Sequence, residues 1–370
     1  MRECDGLKRC APASSRIAAM RGVPALLASG EVCGIAAGGA RQGAKGQMSE
    51  LVPLLNLILP YFSIIALGFI IGKWKPMPEA GLAWMNFFIL YVALPPLFFR
   101  LLADRPLDQL ANWRFVAMTM LATYCTFAIA LTYGAWRSRG DMPQAIMQGV
   151  AGAYANVGYM GPPLVLEALG AGASGAVALV FVSDVVLMFT MVPLLMAVAG
   201  ADHRGILRTL GAVLRNILTH PFNIAAALGI AASYFHVQIP AWLDKTTLWL
   251  SNASAPGALF VLGVTVALRA KGGFPRETPV LVAFKLLLHP LLVWTLLSMF
   301  GNFDPLWVYA AVLMAALPPA LTSFVFATQY RVGLDRASAC ILVGTACSLF
   351  TLTALLWLIR AGRMPADLFP

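Results

Sequence analysis

Long apolar runs recur along the chain, separated by short polar connections. A membrane-spanning helix needs about 20 apolar residues, and ten stretches reach that length. The first half supplies Leu51–Gly72, Leu82–Leu102, Phe115–Trp136, Ala145–Leu169 and Gly175–Val198. The second supplies Ile217–Phe235, Leu248–Leu268, Pro279–Phe300, Leu306–Gln329 and Ala337–Ile359. The pattern predicts an all-α membrane protein with ten transmembrane helices. The longest connection, Gly200–Arg215, lies between the halves. Its Ile206, Leu207, Leu210, Val213 and Leu214 share one helical face, and Arg204, Arg208 and Arg215 mark the other. A short helix lying in the membrane interface is expected there.

The two halves resemble one another. PYFSIIALG at Pro60–Gly68 returns as PFNIAAALG at Pro221–Gly229, 161 residues later. Ala176–Leu195 returns at the same offset as Ala337–Leu356. A duplicated unit with an odd number of spans enters the membrane in opposite senses, and inverted repeats of this kind characterise secondary transporters. The expected organisation is an extension over 1–47, a five-helix repeat over 48–199, a linker helix over 200–215 and a second five-helix repeat over 216–370.

Composition agrees with a polytopic membrane protein. Sixty per cent of residues are hydrophobic and 11% charged, against roughly 25% charged in soluble domains. The net charge of +10 forms no basic patch, so nucleic acid is excluded as a partner. Lys and Arg divide twelve against six between the two sides, leaving aside residues before Met48. The positive-inside rule then puts the linker in the cytoplasm and both termini outside, in the periplasm of a bacterial inner membrane. Residues Met1–Gln47 fit poorly, because they carry seven Lys or Arg and lack the continuous apolar core of a signal peptide. Translation is expected to start at Met48, with the upstream stretch untranslated or disordered. Cys125, Cys340 and Cys347 lie in apolar segments, and no cysteine spacing suits zinc or a redox pair.

Two spans contain helix breakers. The fourth reads Asn156-Val-Gly-Tyr-Met-Gly-Pro-Pro163, and the ninth reads Ala315-Ala-Leu-Pro-Pro-Ala-Leu-Thr-Ser323. Proline lacks an N–H and clashes with the preceding turn. Broken helices near the midplane free backbone groups that hold a ligand. Candidate substrate-binding residues are therefore Asn156, Gly158, Tyr159, Gly161, Pro162 and Pro163 in one half, with Pro318, Pro319, Thr322 and Ser323 in the other. The alternative is a pair of ordinary proline kinks.

Ionisable residues inside a span are costly unless they serve a purpose. Asp184 lies about ten residues into the fifth span. Coupling to a proton or cation is one reading, and a neutral hydrogen-bonded Asp the other. Three roles are open to Lys285 in the eighth span: snorkelling to the cytoplasmic face, pairing with Asp184, or attracting an anion. His220 and His289 each precede a proline and are assigned no proton relay. Gly170-Ala-Gly-Ala-Ser-Gly175 matches a dinucleotide fingerprint in letters alone, since it joins two spans without a preceding strand. No motif supplies a nucleophile with its base, so an enzyme is not expected.

From about Met48 onward the chain resembles the auxin efflux carrier family, which includes plant auxin exporters and bacterial malonate-type permeases. The resemblance rests on NVGYMGPPL at Asn156–Leu164, LSNASAPGALFVLGVTVAL at Leu250–Leu268 and AALPPALTSFVFATQY at Ala315–Tyr330. It implies two inverted five-helix repeats with crossed, broken helices 4 and 9, similar to sodium/proton antiporters and bile-acid symporters. Spans 1, 2, 6 and 7 would form a scaffold and the rest a mobile transport unit. It also implies that Asn156 contacts a substrate carboxylate, that Asp184 lines the same site, that Lys285 is a matching basic position, and that Asn86 faces the site. The family's Asn-Pro pair at the start of the sixth span is replaced by His220-Pro221.

The function expected is alternating-access transport of a small organic anion, such as malonate, without a cofactor. Expected partners are that anion, the bilayer, a proton or sodium ion where Asp184 serves coupling, and a second copy in a homodimer. The alternatives are a cation-coupled symporter or antiporter of another metabolite, and a ligand-binding sensor that transports nothing.

Overall fold

The computed structural model describes residues 44–75, 78–103, 105, 112–201, 206–269 and 275–369. Among them every regular element is helical. The order is α1 (Ala44–Trp74), α2 (Glu79–Phe87), α3 (Leu94–Ala103), α4 (Trp113–Arg137), α5 (Met142–Ala153), α6 (Gly161–Leu169), α7 (Ser174–Val198), α8 (Ile206–Thr219), α9 (Pro221–Tyr234), α10 (Ala241–Arg269), α11 (Thr278–Ala283), α12 (His289–Phe300), α13 (Pro305–Ala315), α14 (Thr322–Tyr330) and α15 (Leu334–Arg360). Seven helical runs among the described residues are long and apolar enough to cross a membrane. Helix α1 begins at Ala44, ahead of the boundary drawn at Met48; the rest of the 1–47 extension lies outside the described residues.

Prolines explain why several elements are not plain helices. Wide π-helical turns join α2 to α3 over Phe88–Ala93 and α11 to α12 over Phe284–Leu288. Each precedes a proline, Pro95 or Pro290, which leaves an earlier carbonyl without its N–H and loosens the turn. The fourth and ninth apolar stretches each divide into two short helices. Both first halves start on an aspartate cap: Asp141 accepts from Gln144 N at 3.1 Å, and Asp304 accepts from Leu306 N at 2.7 Å. Such a cap satisfies an orphan amide of the first turn.

The linker helix also differs from the expectation. It continues past Arg215 to Thr219 and stops where Pro221 forces His220 into extended geometry. The sixth segment therefore starts at Pro221 and is only 14 residues long. Leu210, Leu214 and Leu218 of α8 are exposed, four residues apart along one face, as an interfacial helix requires.

Close helix crossings organise one part of the bundle. A β-carbon on Gly68 of α1 would overlap the Phe260 carbonyl oxygen of α10. A β-carbon on Gly229 of α9 would lie 2.8 Å from the Phe99 carbonyl oxygen of α3. Arg100 of α3 pairs with Asp244 of α10 and also reaches Thr247 at 3.2 Å. Elsewhere α4 packs against α5, α7 and α12, and α13 against α6, α7 and α12. Phe98 of α3 stacks on Phe181 of α7 with 3.7 Å between centroids, and Phe222 of α9 packs edge-on to Phe181 and tilted to Phe98.

Candidate transport site

The two broken segments cross and pair. Residues 154–160 separate α5 from α6, and residues 316–321 separate α13 from α14. Asn156 N donates to the Pro318 carbonyl at 2.9 Å, and Ala320 N donates to the Tyr154 carbonyl at 3.1 Å. Ala155 and Pro319 thus face each other in an isolated antiparallel bridge. Unwound backbone at membrane depth needs such partners, since hydrocarbon offers none.

One face of this crossing forms the floor of a cavity of about 980 Å³. Asn156, Gly158, Tyr159, Asn86 and Thr322 all line it. Exposed Ala80, Thr328 and Gln329 mark its mouth. Asn156 is 3% exposed, and its Nδ2 has no hydrogen-bond partner among the described residues. Asn86 donates to its own helix, at the Leu82 carbonyl 3.1 Å away. Gly161, Pro162, Pro163, Pro318, Pro319 and Ser323 do not line the cavity. Gly161 packs against Met314 and Leu317, and the Pro319 ring against Gly344; these positions shape the crossing from behind.

Asp184 does not line the cavity. Phe181 and Val185 of α7 face it, four residues apart. Asp184 lies about 60° around the helix from Phe181 and about 100° from Val185, and meets α4 and the void beside α12. There a buried polar string runs through the bundle. Thr123 Oγ1 donates to Asp184 Oδ1 at 3.2 Å and lies 3.1 Å from His289 Nε2. His289 Nδ1 lies 3.1 Å from Lys285 Nζ, which also donates to the Ala315 carbonyl. A void of about 10 Å³ adjoins Thr123, Asp184 and His289.

Two residues, Lys285 and His289, read differently in this geometry. Lys285 is fully buried, so it does not snorkel. Nor does it form a direct ion pair with Asp184; Thr123 and His289 stand between them. Its ammonium instead sits at the C-terminal carbonyl of α13, where a helix dipole favours positive charge. His289 had been given no role, yet it occupies the middle of the string. The spacing of Lys285 and His289, four residues apart on one helix, is the sequence signal that would have joined them. Tyr154, His220 and Thr265 also line the cavity and were not singled out for it.

The membrane transport protein family matches residues 53–356. The chain belongs to this family, that of the auxin efflux carriers. It is 42% identical over 320 residues to a Rhizobium meliloti (strain 1021) protein named "Putative malonate transporter", covering 86% of this chain and 100% of that one. It is 25% identical over 307 residues to the Escherichia coli (strain K12) protein "Uncharacterized transporter YfdV", covering 81% and 95% respectively. Auxin efflux carrier component 5 of Arabidopsis thaliana is 26% identical over 162 residues, 41% of this chain and 44% of its own length. This auxin efflux carrier family member is a membrane transporter and not an enzyme.

Proposed function

We propose that this transporter is a secondary carrier moving small organic anions, malonate or another carboxylate, across the bacterial inner membrane by alternating access. One observation carries the reading. The crossed breaks floor a cavity of about 980 Å³ lined by Asn156, whose buried Nδ2 has no hydrogen-bond partner among the described residues. A carboxylate accepts from such a donor. The first turn of α14, with Thr322 in the wall, adds the positive end of a helix dipole. The name of the 42%-identical relative supports malonate as the first substrate to try.

The architecture in this reading is ten crossings in two inverted five-helix repeats, 48–199 and 216–370, with a cytoplasmic linker and periplasmic termini. The close crossings support it. Gly68 and Gly229 are 161 positions apart, and so are the residues they meet, Phe260 and Phe99. Helices α1, α2–α3, α9 and α10 form the scaffold. The remaining helices carry the crossed breaks and move against it in an elevator motion.

The test is counterflow of labelled malonate in liposomes containing the purified protein. Asn156→Ala abolishes it at unchanged expression; undiminished counterflow in that variant sinks the site. A second reading, coupling of transport to a proton or sodium ion, is favoured by the buried string ending on Asp184 and Lys285. Asp184→Asn then uncouples uptake from the ion gradient. Uptake with unchanged ion dependence in that variant removes this second reading alone.

A further inference from the structure

Among the described residues, two side-chain nitrogen atoms of residues lining the large cavity are buried without a hydrogen-bond partner. One is Asn156 Nδ2, on the broken segment. The other is Nδ1 of His220, between α8 and α9. The imidazole is flanked by Phe222 and Phe189, with ring centroids 4.6 and 5.5 Å away. The described lining residues include no Lys, Arg, Asp or Glu, so His220 is the one among them able to carry positive charge.

We infer that His220 is a second anchor of the binding site and selects dicarboxylates over monocarboxylates. Asn156 receives one carboxylate and His220 the other. A second carboxylate set against the Phe189 and Phe222 rings is costly without a donor there. A ring N–H supplies that donor in either protonation state. Conversely, a substrate lacking the second carboxylate leaves the buried ring nitrogen without its acceptor, which is how polar sites reject near-isosteres. The inference rests on the carrier reading above.

The experiment measures uptake of malonate and of malonamate into liposomes containing the full-length protein. Malonamate has nearly the same shape, with one carboxylate replaced by an amide. The wild type has a KM for malonate roughly tenfold below that for malonamate, as a charge-assisted hydrogen bond implies. In His220→Leu the malonate KM rises roughly tenfold with kcat little changed, while malonamate stays within about twofold, so discrimination collapses. His220→Ala, which likewise has no donor, gives the same result and decides the matter if the leucine variant does not fold. Discrimination equal to wild type in the variants, or an equal loss for both substrates, overturns the role of His220 while leaving the carrier intact. Wild-type vesicles that take up neither compound overturn the carrier reading for this substrate class, and this inference with it.

Discussion

Asn156 donates its backbone N–H to the Pro318 carbonyl at 2.9 Å, so each broken segment is the hydrogen-bond partner of the other. The reciprocal bond from Ala320 to Tyr154 closes the pair. Neither break is then an independent kink. Each is held open because the other supplies the partners that water would supply in a soluble protein.

Replacing both Pro318 and Pro319 by Ala restores the two missing N–H groups and lets α13 propagate towards α14. That withdraws the partners of Tyr154 and Asn156 and distorts the cavity floor. Uptake should fall roughly tenfold or more, the scale on which misplaced binding groups act, while helix content by circular dichroism does not fall. A double variant that transports like the wild type shows that the prolines do not maintain the crossing.

Gly68 and Gly229 hold equivalent close crossings, on α10 and α3 respectively. Gly68→Val and Gly229→Val each force backbones apart, which costs about 1–3 kcal/mol. Thermal unfolding in detergent should show both substitutions lowering the melting temperature. Gly211 on α8 has open space around its α-carbon, so Gly211→Val is the control and should change it little.

Much of this was legible in the sequence because membrane helices announce themselves through length and apolarity. The paired prolines marked the breaks, and the offset of 161 reappears in the Gly68 and Gly229 crossings. Side-chain direction was harder to read. Phe181, Asp184 and Val185 lie within one turn of α7, and only the packing of α4 and α12 determines that Asp184 turns from the cavity. His289 was passed over because a single intramembrane histidine carries no pattern of its own. Its role depends on Thr123, 166 residues away in sequence. The extent of α8 was missed because Ile217 and Leu218 are as apolar as the helix that follows, and Pro221 alone marks the boundary.

The buried string makes a prediction about coupling between side chains. Lys285→Met removes the ammonium from both the Ala315 carbonyl and His289 Nδ1. Each buried group left without a partner costs about 1–3 kcal/mol. His289→Leu removes one of those groups, so the double variant should be less destabilised than the two single losses together. The expected interaction energy is about 0.5–3 kcal/mol by a double-mutant cycle. Strict additivity would mean that the two side chains do not act as one unit.

Bonds beyond the cavity floor bear on the alternating access proposed above. The Tyr61 hydroxyl of α1 donates to Glu167 of α6 at 2.5 Å, and Arg105 Nη2 donates to the Ala171 carbonyl at 2.6 Å. No residue of α6 lines the cavity, so the Tyr61–Glu167 contact lies outside it. In the proposed architecture both bonds join scaffold to transport unit and must break for the opposite face to open. Tyr61→Phe removes one bond, worth about 1 kcal/mol, or about a fivefold shift in the balance of states. The shift is readable with a cysteine at Thr322 in a chain whose native cysteines have been replaced. Labelling by an impermeant maleimide should fall from the mouth side and rise from the other. Unchanged labelling from both sides would remove Tyr61 and Glu167 from the closure and leave the far side held by packing alone.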